Sequence, residues 1–301
     1  MREVSLPTTN QGDTDMTRTN TPLLRFLLLL TMMLGADSMQ AQTNAGQYAD
    51  VNGIRMYYEL HGAGQPLVLI HGGGSTINTS WGRILPTLVK AHRVIAVELQ
   101  AHGRTSDRNA PESFAQDADD VAELLRQLDV AKADVLGFSN GGSTALQVAI
   151  RHPDRVNKVI AISAIYRRDG MPPEFWSFME KGTFADMPQI YKDEFLRLTP
   201  DSAKLLTMFR RDQQRMLTFK DWNAADIRAI KAPTLVVASD QDVVRPEHAV
   251  EMMRLLPNGR LVILPGRHGE LFGEAMYPRT DSKVPQLFAA VVEEFLAAPT
   301  P

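Results

Sequence analysis

The sequence predicts an α/β fold: a doubly wound, mostly parallel sheet with an antiparallel N-terminal edge hairpin and an inserted helical cap. Three observations indicate it. Short apolar runs alternate with segments of helical periodicity, a pattern typical of parallel strands covered on both faces. Asn52-Gly53 separates two alternating segments, which indicates a two-residue hairpin turn. Residues 166–230 contain no convincing strand and are rich in Phe, Met and Trp, which predicts a helical lobe.

The elements follow in chain order. The hairpin spans residues 48–60, where apolar and polar residues alternate on either side of the turn. Near-continuous apolar runs predict strands at 66–70, 93–97, 133–136, 156–165, 234–238 and 260–264. Apolar residues at helical spacing predict helices near 84–90, 113–128, 143–151 and 285–297.

The N-terminal segment resembles a secretory signal. Arg18 and Arg25 form a positive region, residues 26–34 form a short apolar core, and small and polar residues lead to Ala41. We therefore expect residues 1–41 to be a signal peptide with Met16 as the true start. The alternative is an uncleaved anchor, although the apolar run is short for a membrane span.

Removal of that segment implies a secreted or periplasmic protein with no stable membrane span. The remaining chain divides into an expected core, residues 42–165 and 231–301, and an expected cap, residues 166–230, lying over the carboxyl ends of the strands. The lid-like position of the cap implies that some of its aromatic residues face a cavity below.

Composition excludes several classes of protein. The 32 Lys and Arg residues nearly balance 35 Asp and Glu residues, for a net charge of −3, and no basic stripe is present. That balance argues against a nucleic-acid partner. The chain contains no cysteine, so disulfides, thiolate catalysis and cysteine zinc sites are excluded. The oligomeric state is left open.

The most informative motif is the G-x-S-x-G pentapeptide of residues 137–141, which is followed by Gly142. A predicted strand precedes it and a predicted helix follows it. A serine on such a sharp turn has a strained backbone and an exposed hydroxyl, which suits a nucleophile. The alternative is a glycine-rich turn in which Ser139 is incidental.

A serine nucleophile needs a base and a group that orients the base. In a doubly wound sheet, functional groups follow the carboxyl ends of strands. Strand 234–238 leads to Asp242, and strand 260–264 leads to His268. Asp240 lies two residues before Asp242 and is a rival acid. The order Ser139, Asp242, His268 is the nucleophile–acid–base order of one large fold.

These motifs resemble the α/β-hydrolase superfamily over residues 48–298, at the level of cap-bearing esterase-like and lactonase-like members. The resemblance rests on residues 69–74 and 98–105, on the serine turn, and on the contexts of the acid and the base. It implies that Ser139 is the nucleophile, Asp242 the acid and His268 the base. It also places the oxyanion donors at the backbone amides of Gly73 and Asn140.

The resemblance implies acyl chemistry, because the nucleophile is Ser rather than Asp. We expect hydrolysis of a small carboxylic ester or lactone with an apolar acyl group, requiring no cofactor and no metal. The same three residues serve C–C bond hydrolysis, perhydrolysis or aminopeptidase activity in some relatives, and others are non-enzymatic receptors. We expect His71 and His102 to bind loop backbone, because no ligand set for a metal accompanies them.

Overall fold

The structure, a computed structural model, describes residues 46–300, so the expected signal peptide lies outside the described residues. One sheet contains all of the strands of this range. They are β1 (Gln47–Val51), β2 (Ile54–His61), β3 (Gln65–Ile70), β4 (His92–Val97), β5 (Ala133–Phe138), β6 (Val156–Ile162), β7 (Thr234–Ser239) and β8 (Gly259–Leu264).

Helices separate most of these strands. Before β6 they are α1 (Ile77–Trp81), α2 (Leu85–Leu88), α3 (Phe114–Gln127) and α4 (Asn140–Arg151). Between β6 and β7 they are α5 (Pro173–Lys181), α6 (Gln189–Leu198), α7 (Ser202–Thr218) and α8 (Ala224–Arg228). The remaining two are α9 (Pro246–Leu255) and α10 (Val284–Ala297). None of the helices within residues 46–300 is long and apolar enough to cross a membrane.

The order of the strands across the sheet is β1-β2-β4-β3-β5-β6-β7-β8. The β1–β2 and β2–β4 pairs are antiparallel, and the pairs from β4 to β8 are parallel. Asn52 and Gly53 close the first hairpin with φ of 43° and 85°, the left-handed conformation that this turn requires. The predicted fold class, including its antiparallel edge, is confirmed.

Apolar layers cover both faces of the sheet, and β3 illustrates why. Its side chains point alternately to opposite faces. Val68 and Ile70 pack in the cluster that contains residues of α3, α4 and α9, whereas Leu67 and Leu69 pack in the cluster that contains residues of α1 and α10. All four side chains are fully buried, which explains why the strand is apolar at each position from Leu67 to Ile70.

The order of the strands reverses at β3. The chain passes from β3 to β4 on one side of it and later returns to β5 on the other. Crevices at such a switch point, beyond the carboxyl ends of the strands, are where doubly wound sheets bind ligands. The loop 71–74 after β3 and Ser139 after β5 both lie at this edge.

The segment between β6 and β7 consists of helices and turns, with no strand among its residues. It supplies most of two further apolar clusters, one around Trp176 and Phe219 and one around Phe195 and Met208. The expected strand 156–165 is three residues too long. It ends at Ile162 because Ser163, at φ of 50°, turns the chain out of the sheet.

Candidate active site

Ser139 occupies a strained turn between β5 and α4. Its φ of 54° and ψ of −118° lie in a region that L-residues seldom adopt. Two hydrogen bonds hold this backbone: the Ser139 amide donates to the Ile162 carbonyl at 2.8 Å, and the Ser139 carbonyl accepts from the Ser143 amide at 3.0 Å. The turn therefore projects the side chain beyond the edge of the sheet.

Gly137 and Gly141 lie so close to neighbouring backbone that neither position has room for a side chain. A Cβ atom on Gly137 would lie 2.0 Å from the carbonyl oxygen of Gly141. A Cβ atom on Gly141 would lie 2.2 Å from the carbonyl oxygen of Ile70. Because backbone cannot move aside as a flexible side chain can, only glycine fits at either position.

His268 bridges the serine and the acid. Its Nδ1 lies 2.6 Å from Oδ1 of Asp242, and its Nε2 lies 3.0 Å from Oγ of Ser139. The ionised carboxylate can only accept, so Nδ1 carries the proton, and Nε2 of the neutral ring accepts from the serine hydroxyl. The structure thus brings the three residues together in the arrangement of a nucleophile, a base and an orienting acid.

Asp242 is fully buried and accepts three hydrogen bonds. Besides His268, the hydroxyl of Ser163 donates to it at 2.5 Å and the amide of Val244 donates at 3.1 Å. Burial would raise the pKa of Asp242, but the facing His268 and these donors outweigh it and hold the pKa below its ordinary value. The carboxylate is therefore kept ionised.

Asp240 points elsewhere. Its Oδ1 accepts the amide N–H of Gly266 at 2.8 Å, and the residue is exposed. It therefore supports the loop that leads to His268, whereas Asp242 contacts the ring itself.

The two expected oxyanion donors border the same cavity as Ser139 and His268. Asn140 is the first residue of α4, so its amide N–H has no partner within the helix. Gly73 lies in the loop after β3, where a Cβ atom would come within 2.6 Å of Nδ2 of Asn140. Among the described residues, neither amide N–H has a hydrogen-bond acceptor. Both donors are thus available to a ligand.

His71 is a neutral structural residue that binds loop backbone, as expected. Its Nδ1 donates to the Gly72 carbonyl at 2.7 Å, and its Nε2 accepts from the Leu99 amide at 3.0 Å. Burial, together with the neighbouring cation of His102, lowers the pKa of His71 to about 3. His71 therefore joins the loop after β3 to the loop after β4.

His102 also binds loop backbone, but it has a second partner that the sequence did not indicate. Its Nδ1 faces the Gln100 carbonyl at 2.8 Å, and its Nε2 faces Oδ2 of Asp212 at 2.9 Å. The Gly74 amide also approaches Nε2, but at 3.3 Å it is farther away than the carboxylate, so Asp212 decides the protonation and both ring nitrogens carry protons. Burial would lower the pKa of His102, but the Asp212 carboxylate outweighs it and raises the pKa to about 9.

The cavity above Ser139 has a volume of about 230 Å³. Residues 166–230 supply most of its wall, including five methionines and three phenylalanines. They are Met171, Phe175, Phe178, Met179, Met187, Met208, Phe209 and Met216. Its lining includes the carboxylates of Asp186 and Asp212, and no Lys or Arg of residues 46–300 lines it.

Sequence reasoning missed Ser163, Asp212 and the Tyr191–Glu274 pair. The hydroxyl of Tyr191 donates to Glu274 at 2.8 Å, joining α6 to the turn after His268. None of these residues lies in a recognisable motif. In residues 46–300, no group of three or more His, Asp or Glu side chains could hold a metal ion.

A family model described as the α/β-hydrolase fold matches residues 65–225, just over half of the chain. The chain therefore belongs to the α/β-hydrolase family. Over 219 residues it is 30% identical to the 2-hydroxymuconate semialdehyde hydrolase of Pseudomonas sp. (strain CF600), spanning 64% of this chain and 76% of that relative.

The chain is also similar to more distant hydrolases. The chain is 23% identical over 240 residues to the 2-hydroxy-6-oxo-6-(2'-aminophenyl)hexa-2,4-dienoic acid hydrolase of Metapseudomonas resinovorans, covering 73% of this chain and 82% of that one. The solved enol-lactonase from Burkholderia xenovorans LB400 superposes with a TM-score of 0.66 at 21% identity, over 84% of this chain and 100% of that one. The protein is a hydrolase of this family, in which the cleaved bond differs between members.

Proposed function

We propose that this protein is a serine hydrolase that cleaves a small, uncharged carboxylic ester or lactone through an acyl-enzyme. One observation carries the proposal: an unbroken hydrogen-bonded series runs from Asp242 through His268 to Ser139, and it ends in an apolar cavity. A serine activated in this way attacks carbonyl carbon.

In the acylation step, Nε2 of His268 takes the hydroxyl proton as Oγ of Ser139 attacks the carbonyl carbon. Asp242 stabilises the imidazolium that forms. The negative oxygen of the tetrahedral intermediate accepts the amide N–H groups of Gly73 and Asn140, each worth about 2.7–4 kcal/mol in a comparable site. His268 then protonates the leaving alkoxide, and the C–O bond breaks.

In the second step, His268 removes a proton from water, and the hydroxide attacks the acyl carbon. The same two amides bind the second oxyanion. His268 returns its proton to Oγ of Ser139, and the carboxylic acid leaves. The reaction needs no oxidant, reductant or further group, because one water supplies both the hydroxyl and the proton.

Residues 166–230 act, in this proposal, as a cap that selects the acyl group. Most of the side chains lining the cavity come from this segment, and they are flexible or aromatic apolar groups. Burial of the apolar part of a substrate against these side chains favours its binding.

The charge of the cavity favours an uncharged substrate. Its lining contains the carboxylates of Asp186 and Asp212, the latter paired with His102, and provides no Lys or Arg from residues 46–300. A substrate carboxylate would lose its hydration there without gaining a cationic partner. One relative is named as a hydrolase of a dienoic acid, and such an acidic substrate would fit this cavity poorly.

Hydrolysis of a C–C bond is the second candidate, because the 30% identical relative is a muconate semialdehyde hydrolase. The same serine, base and acid would serve either reaction. The two candidates are separated by offering a neutral ester, a lactone and a dienoic acid to the same preparation and comparing kcat/KM.

The decisive experiment uses a fluorophosphonate probe and p-nitrophenyl butyrate, with Ser139→Ala as the matched control. We expect labelling at Ser139 and turnover in the wild type, and neither in the variant. Turnover should fall at least about tenfold when the butyryl group is replaced by a succinyl monoester of similar length. Absence of labelling in folded protein, or tight ligand binding without product, would contradict the proposal.

We also propose that the protein is exported to the periplasm or secreted. The support is the pattern of residues 16–41, in which two arginines precede an apolar core and small residues. N-terminal sequencing of protein recovered from a bacterial host's periplasm should begin near residue 42. Recovery of the intact N-terminus in the membrane fraction would favour the uncleaved anchor.

A further inference from the structure

We propose that Asp212, on helix α7, is a positioning residue that holds the loop 72–74 so that the amide N–H of Gly73 meets the reacting carbonyl oxygen. The inference rests on the proposed serine hydrolase function. It assigns a role in catalysis to a cap residue that contacts neither Ser139 nor His268.

The contacts of the Asp212 carboxylate carry the inference. Its Oδ2 accepts the amide N–H of Gly74 at 2.5 Å, and its Oδ1 accepts Nδ2 of Asn140 at 3.2 Å. Gly74 directly follows one expected oxyanion donor, and Asn140 is the other. One carboxylate thus binds both sides of the oxyanion site, across sequence separations of 138 and 72 residues.

The loop is closely packed against these groups. A Cβ atom on Gly73 would lie 2.6 Å from Nδ2 of Asn140 and 3.3 Å from Oδ2 of Asp212. Gly74 has φ of 67°, a conformation that leaves its N–H dependent on an external acceptor. Without the carboxylate, this half-buried N–H would keep only the longer contact to Nε2 of His102, at 3.3 Å, and the loop would be held less firmly.

A bare carboxylate beside a developing oxyanion would oppose catalysis. His102 removes that difficulty, because its doubly protonated ring lies 2.9 Å from Oδ2 of Asp212 and neutralises it. Burial would raise the pKa of Asp212, but His102 outweighs it and holds the pKa well below its ordinary value. The pair therefore acts as a neutral clamp with strong acceptor oxygens.

Docking of α7 on the core does not require Asp212. Arg211 binds Asp107 at 2.7 Å, and Arg215 binds Asp117 at 2.9 Å. Both ion pairs join the same helix to the segment that follows β4, and neither lies at the cavity. A purely structural carboxylate at residue 212 would duplicate them at a further cost of desolvation.

The test compares Asp212→Ala, Asp212→Asn and the matched control Arg211→Gln in the full chain. Asp212→Ala should lower kcat for p-nitrophenyl butyrate about 10- to 100-fold with little change in KM, because the oxyanion contact acts in the transition state. Asp212→Asn keeps one acceptor oxygen for Gly74 and should recover part of this loss. Arg211→Gln should keep kcat, since it removes only a docking contact.

A second measurement keeps the inference independent of the choice of ester. The fluorophosphonate forms an O–P bond with Oγ of Ser139 as fluoride leaves and Nε2 of His268 takes the hydroxyl proton, and the phosphoryl oxygen occupies the oxyanion site. We expect Asp212→Ala to slow this labelling by a similar factor while circular dichroism shows a folded protein. The inference is overturned if Asp212→Ala is labelled as fast as wild type, if Arg211→Gln loses kcat to the same extent, or if wild type is not labelled. Labelling without ester turnover contradicts only the proposed substrate.

Discussion

The hydroxyl of Ser163 donates a 2.5 Å hydrogen bond to Oδ2 of Asp242, on the side of the carboxylate away from His268. Ser163 can do this because its φ of 50° turns the chain out of β6 just beyond the sheet. The hydroxyl helps to fix the carboxylate that orients the imidazole. Positioning of the base therefore depends on a neighbouring strand as well as on the loops that carry the acid and the base.

Replacement of Ser163 by alanine should reduce catalysis moderately. A hydrogen bond to a charged group contributes about 1.5–3 kcal/mol, so we expect kcat to fall roughly tenfold. The measurement is kcat for a p-nitrophenyl ester, with Ser143→Ala as a control, because Ser143 contacts only the backbone of Ile165 through its hydroxyl. An unchanged kcat in Ser163→Ala would show that the remaining donors suffice to hold Asp242.

Replacement of Asp242 should lower kcat far more than replacement of Asp240. We expect Asp242→Ala to lower kcat about 10³- to 10⁴-fold, because the imidazole loses the group that selects its tautomer. Asp240→Ala removes only an acceptor for the Gly266 amide and should change kcat less than about threefold. If Asp240→Ala abolished turnover and Asp242→Ala did not, the assignment of the acid would be wrong.

Stability should depend on pH through His102. Its pKa is 6.5 ordinarily and about 9 in the folded protein, so the folded state holds this proton more tightly. The resulting stabilisation is fully present below about pH 6.5 and is lost as the pH rises through about 9. We expect the Tm of wild type to fall between about pH 7.5 and 9.5.

The same pH series on Asp212→Asn is the control. Without the carboxylate, the pKa of His102 is no longer raised, and the fall in Tm over this range should be smaller. Burial raises the pKa of Glu112 to about 7 and of Asp117 to about 6, so these groups titrate mainly at lower pH. If Tm fell equally with pH in both proteins, the charged state of His102 would be contradicted.

Phe178 should affect binding of long acyl chains. It lines the cavity and is 51% exposed, which places it at the mouth. Phe178→Ala should raise KM for a p-nitrophenyl octanoate about fivefold without changing kcat, because ground state and transition state lose the same contact. Leu287→Ala is a matched control: Leu287 is equally exposed but lies on α10, outside the cavity lining. A similar rise in KM in both variants would contradict the placement of Phe178 at the mouth of the cavity.

Local patterns were sufficient to predict the sheet and the serine turn. Buried parallel strands are apolar at every position, and a helix repeats every 3.6 residues, so both types of element are visible within a few residues. The glycines around Ser139 are equally visible in the sequence, although the close contact that requires glycine at Gly141 is with the distant backbone of Ile70. The end of β6 was predicted wrongly, because the apolar run continues beyond the turn at Ser163.

The sequence by itself determined the fold class, the nucleophile's turn and the order of the acid and base candidates. Only the tertiary structure decided which aspartate faces His268, because two acids two residues apart have the same chemistry and differ only in where the turn aims them. It likewise placed Asp212 against Gly74 across 138 residues. That contact depends on how the helices of residues 166–230 pack against the loops of the core, and no short stretch of sequence encodes such packing.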